Sequence, residues 1–143
     1  VPAAEERRQA ERIDPREPVQ LTMNVGQPLL DSDGNGFPDS MEVWVYLFPS
    51  ERYSRLPVWS AGSFEFRLRA ADGSLLGAWD IPAESAAAFR QQFAPGPGYV
   101  FGLALAEGED AMPRVTANLF LTFVTPSGRR VSSRGPATLT LGG

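Results

Sequence analysis

At 143 residues and a net charge of -4, the chain is long enough for one domain with a buried core and too acidic to offer nucleic acid a basic surface. It contains neither histidine nor cysteine, and its 13 basic residues are all arginine. Zinc or copper sites built on imidazole or thiolate are therefore excluded, as are serine and cysteine nucleophiles that rely on a histidine or lysine base; carboxylate chemistry and oxygen-ligated hard cations stay open.

Residues 1–18, VPAAEERRQAERIDPREP, mix Glu and Arg with Ala and close with Pro15 and Pro18. No broad apolar stripe runs along them, so they read either as a charged spacer or as an arm that orders on a protein partner or on a second copy. The chain opens at Val1 without a methionine. Two readings stay open: a removed upstream segment, which would mean export into the bacterial periplasm, envelope or exterior with a lipid anchor upstream as one route, or no more than an arbitrary starting point. No segment has the apolar length of a membrane helix.

From residue 19 to 143 the pattern changes to short alternating runs punctuated by Gly, Pro, Asp and Ser, which reads as a single all-β domain. Strands are expected near residues 19–25, 42–48, 63–69, 75–81, 99–106, 114–124 and 129–141. The fold class is thus an antiparallel β-sandwich of the immunoglobulin-like or C2-like kind with about seven strands. In 63–69, Phe64, Phe66 and Leu68 alternate with Glu65, Arg67 and Arg69, giving one core face and one wet face. Residues 71–74 and 126–128 read as hairpin turns. One helix is expected over 83–93, with Ala86, Phe89 and Phe93 on its apolar side. Pro136 should bend the last strand or place it at an edge.

Between the first two strands lies LLDSDGNGFPDSMEVWVYLF, residues 29–48. Asp31, Asp33, Asn35, Asp39 and Glu42 occupy positions 1, 3, 5, 9 and 12 of a twelve-residue loop, with Gly36 at the sharp turn and Phe37 placed to offer its carbonyl. That spacing lets one chain wrap oxygens around Ca²⁺ at about 2.3–2.6 Å, the last Glu binding through both oxygens and the ninth position often through water. The alternative is an exposed polar turn, but a turn requires neither Glu42 in register nor four mutually repelling carboxylates. The loop resembles that of an EF-hand and, lacking flanking helices, is more similar to the stand-alone DxDGNGFPDxxE segments of thrombospondin type 3 and dockerin-like calcium repeats. Pro38 at the eighth position has no N–H with which to pair two EF-hand loops. The resemblance covers residues 31–42 only and implies calcium as the bound ion. The charged spacer, loop and β-domain together resemble bacterial envelope lipoproteins, which implies an exported protein. Extracellular calcium modules work at Kd values of about 10⁻⁴–10⁻³ M, which fits a structural ion outside the cytosol.

After the loop, Val43, Val45 and Leu47 alternate with Trp44, Tyr46 and Phe48, so both faces of this strand are apolar. Either the second face is covered, or Trp44 and Tyr46, with Tyr53 nearby, form a platform for a sugar or a protein partner. Trp59 and Trp79 are expected in the core. A carboxylate hydrolase would need a pair drawn from residues such as Glu65 and Asp80. Asp80 is more simply a cap near the helix start, Asp72 a turn residue and Glu65 a wet-face partner of Arg67 or Arg69, so the chain reads as non-enzymatic.

Overall fold

Period-two alternation becomes two antiparallel sheets. The structure is a computed structural model, and it describes residues 17–26, 29, 40–50, 56–105 and 115–141. Among these the strands are, in chain order, β1 (Gln20–Val25), β2 (Ser40–Phe48), β3 (Ser63–Ala70), β4 (Leu75–Ile81), β5 (Arg90–Phe93), β6 (Gly96–Ala104), β7 (Val115–Val124), β8 (Arg130–Ser132) and β9 (Ala137–Leu141). One sheet runs β1-β2-β6-β5; the other runs β4-β3-β7, with β8 and β9 sharing the far edge of β7. The all-β sandwich read from the sequence is what forms.

The inward residues explain why the sheets face each other. Met41, Val43, Val45 and Leu47 of β2 and Tyr99, Phe101 and Leu103 of β6 meet Phe64, Phe66 and Leu68 of β3 and Leu119, Leu121 and Phe123 of β7, all buried. Phe64 is the hub: its ring centroid lies 4.9 Å from Tyr99, 4.8 Å from Phe101 and 4.9 Å from Phe123. Each fully buried Phe contributes about 1.5–3 kcal/mol of transfer free energy, and tilted ring pairs add to it. Two indoles stitch the margins, Trp59 Nε1 donating to the Gly98 carbonyl at 2.9 Å and Trp79 Nε1 to Ala104 at 3.0 Å. Both tryptophans are half-buried against the core rather than inside it.

Four expectations need correction. The helix is shorter: α1 covers only Ala83–Ala86, a 3₁₀ turn follows over Ala87–Phe89, and residues 90–93 form β5. Phe89 ends the helical part by packing on Phe101 at 5.1 Å, and the backbone turns extended at Arg90 so that β5 can pair along β6. A sheet edge seeking partners overrides the helix-forming composition of this stretch. The segment after 129 splits at Pro136 into β8 and β9, so nine strands stand among the described residues where about seven were expected. β2 begins at Ser40 rather than at Glu42. Finally, Asp80 caps no helix: the position before α1 is Pro82, with no side-chain cap.

Candidate functional site

Of the loop positions suited to a metal, Asp31, Asp33, Asn35, Phe37 and Asp39 lie outside the described residues, as does Tyr53. Glu42 is described. It is the third residue of β2, and its side chain is exposed on the outer face of the first sheet. Its carbonyl accepts the Gly26 N–H at 2.8 Å, so the rung that joins Gly26 to Glu42 closes the mouth of the β1–β2 connection. On its other side Glu42 pairs with Gly102, where an added Cβ would meet nothing within 4 Å, leaving open space next to the carboxylate. Leu29, two residues before Asp31, is half-buried against the core cluster. The exit from the loop is a strand, as the flanks of residues 31–42 led us to expect. Among the described residues no group of three or more acidic side chains is placed to hold a metal ion.

The same outer face carries the aromatic row. Trp44, Tyr46 and Phe48 point away from the core while Val43, Val45 and Leu47 are fully buried. The row is neither covered nor free: its members are half-buried, and two of them, Trp44 and Tyr46, lie on glycines. Trp44 rests over Gly26, whose hypothetical Cβ would come within 2.9 Å of the indole. Tyr46 meets Phe93 of β5 edge to face, centroids 5.8 Å apart at 71°, and Gly98 sits beneath both rings, 3.0 Å from each if it bore a Cβ. Glycine strands roofed by rings are a known sheet-stabilising device. Phe93 is a member of this face that the sequence places on a helix, and no local pattern marks it as part of a strand. Polar Thr22 and Asn24 of β1 and Gln91 of β5 flank the row and are exposed.

The outer face of the second sheet is different in kind. Arg67 pairs with Asp80 at 2.9 Å, Arg130 with Glu65, and Thr138 donates to Asn118 at 3.0 Å. Glu65 and Asp80 stand opposite each other in register, each tied to its own arginine. Glu65 thus takes Arg130 as its partner, where Arg67 or Arg69 was expected. Asp72 is the turn residue it was read to be, accepting the Ser74 N–H at 2.9 Å and the Ser74 hydroxyl at 2.6 Å. The Ser74 hydroxyl bond, with the N–H bond next, holds its carboxyl below the usual carboxylate range. Among the described residues no helix is long and apolar enough to cross a membrane. No protein-family model matches the sequence, and no curated protein matches it.

Proposed function

We propose that this chain is a non-enzymatic, calcium-stabilised β-sandwich of the bacterial cell envelope or exterior that serves as a structural and protein-interaction module. The observation that carries the reading is Glu42: the twelfth loop position faces outward near the start of β2, beside the open space at Gly102, while the Gly26–Glu42 rung and half-buried Leu29 anchor the chain on either side of the loop. Carboxylates brought to such a mouth repel one another without a cation and are pulled onto the sheet with one. A non-catalytic role is supported by Glu65 and Asp80, whose charges are taken up by Arg130 and Arg67 on a wet face. Export is consistent with an affinity range that extracellular calcium satisfies.

Titration calorimetry with CaCl₂ on the EDTA-treated protein tests the ion. At a hundredfold excess over Kd, binding to the native state alone adds about 2.7 kcal/mol. An unfolding entropy near 0.3 kcal/mol/K, which follows from about 2.1 cal/mol/K per residue for this length, turns that into a rise of about 9 °C in Tm. Heat-silent titrations and a melting point indifferent to EDTA would dismiss the reading. A second reading, a carbohydrate-binding module, is favoured by one observation: Trp44 and Tyr46 keep part of their surface in solvent beside exposed Thr22, Asn24 and Gln91. Glycan-array binding that is lost in Trp44→Ala would support it.

A further inference from the structure

Glu17 and Pro18, the first described residues, are gripped by a turn more than a hundred positions away in sequence. The β7–β8 turn is closed by Thr125 N–H donating to the Arg129 carbonyl and Gly128 N–H to the Thr125 carbonyl, both at 2.8 Å, with Gly128 at φ +89°. The Glu17 carboxylate lies on this turn. Its Oε1 accepts the Ser127 N–H at 3.1 Å and its Oε2 the Ser127 hydroxyl at 2.7 Å, with Arg129 Nη2 at 3.7 Å from Oε2. Arg129 Nη2 also donates to the Pro18 carbonyl at 2.9 Å. The next residue, Val19, donates its N–H to the Phe48 carbonyl at 2.9 Å and begins the β1 ladder.

Three consecutive residues are therefore fixed by three different partners. Pro18 is buried, its ring locks its own φ, and a residue before proline is confined to extended backbone, so Glu17 is preset for the grip. An exposed ion pair alone would hold little. Here one carboxylate takes both donors of a single serine while the neighbouring guanidinium bridges onward to backbone, a charge-assisted arrangement with directional demands.

We propose that the β7–β8 turn is a clasp for Glu17 and Pro18, fixing the point and direction in which the preceding chain joins the sandwich, at the end of β1 away from the Gly26–Glu42 rung. The clasp rests on described residues alone and stands whether or not calcium binds.

Amide hydrogen exchange by NMR, together with a nitroxide on Asp14→Cys in this cysteine-free chain, tests it. Slow exchange is expected at Ser127 and is lost in Glu17→Ala, while Gly128, bonded within the turn, keeps its protection and reports that the fold survives. Broadening from the label should centre on residues 125–130 and the start of β1, and disperse in Glu17→Ala. A fast-exchanging Ser127 amide in the parent chain, or a broadening pattern that Glu17→Ala leaves unchanged, would overturn the clasp.

Discussion

Tyr99→Phe removes one oxygen from the centre of the molecule and should be unusually costly for so small a change. Tyr99 is fully buried, and its hydroxyl is both donor and acceptor to one residue: it donates to the Ser60 carbonyl at 3.0 Å and accepts the Ser60 N–H at 3.1 Å. Ser60 is itself 4% exposed, so water cannot replace either bond without opening the segment that leads into β3. Leaving a buried donor or acceptor unpaired costs about 1–3 kcal/mol, and two such groups on one residue put the loss at about 2–4 kcal/mol once relaxation is allowed. With the unfolding entropy used above, Tm falls by about 7–13 °C. Tyr46→Phe is the matched control, because that ring lies on the outer face of the same sheet and its change should stay within about 0.5 kcal/mol. Urea melts of the three proteins, compared at constant m-value, measure both numbers. Equal midpoints for Tyr99→Phe and Tyr46→Phe would refute the role assigned to the Ser60 bonds.

Two glycines should respond oppositely to alanine. At Gly62 an added Cβ would lie 2.3 Å from Phe123 Cζ and 2.5 Å from the Val124 carbonyl oxygen, so Gly62→Ala should cost at least about 3 kcal/mol or prevent folding, whereas Gly102→Ala, with open space around it, should be neutral or stabilise by up to about 1 kcal/mol; thermal melts rank them. Glu17 gives a pH signature. Its carboxyl is held below the usual range, chiefly by the Ser127 hydroxyl, so the stability it contributes is complete above about pH 4.3 and is lost as the pH falls through that value and then through its own lower pKa. A carboxyl-detected NMR titration should place Glu17 below an ordinary glutamate, and a midpoint at or above the ordinary one would contradict the geometry. For the loop, Glu42→Gln should weaken Ca²⁺ binding severalfold in calorimetry while leaving the apo protein's melting point nearly unchanged, since the side chain is exposed on the strand.

What could be read in the sequence was whatever depends on a residue and its near neighbours. Phe64, Phe66 and Leu68 alternate with charges, and a one-residue slip would bury Glu65 and Arg67, so that strand was fixed by pattern alone. The turns at Asp72 and Gly128 were legible for the same reason, each being closed by bonds within a few residues. What depends on distant partners was not. β5 is a strand because β6 lies alongside it, although AESAAAFRQQF has helix-forming composition throughout. Asp80 reads as a helix cap until register brings Arg67 within 2.9 Å. The half-burial of Trp44 and Tyr46 depends on Gly26 and Gly98, which no local pattern links to them. In the acidic loop the case is reversed: the expectation rests on local spacing alone, and of its six ligand positions only Glu42 is described.

The two ends of the described chain have a mechanical consequence. Glu17 sits by the turn that follows Val124, and Leu141 pairs with Val115 at the other extremity of β7. Ten residues of strand, about 33 Å, separate them. A pull applied between these points runs along the strands, dragging β1 lengthwise past β2 and β9 past β7. Their rungs then bear the load in shear and all at once, rather than unzipping one after another, and a tensioned tether would find the domain at its stiffest.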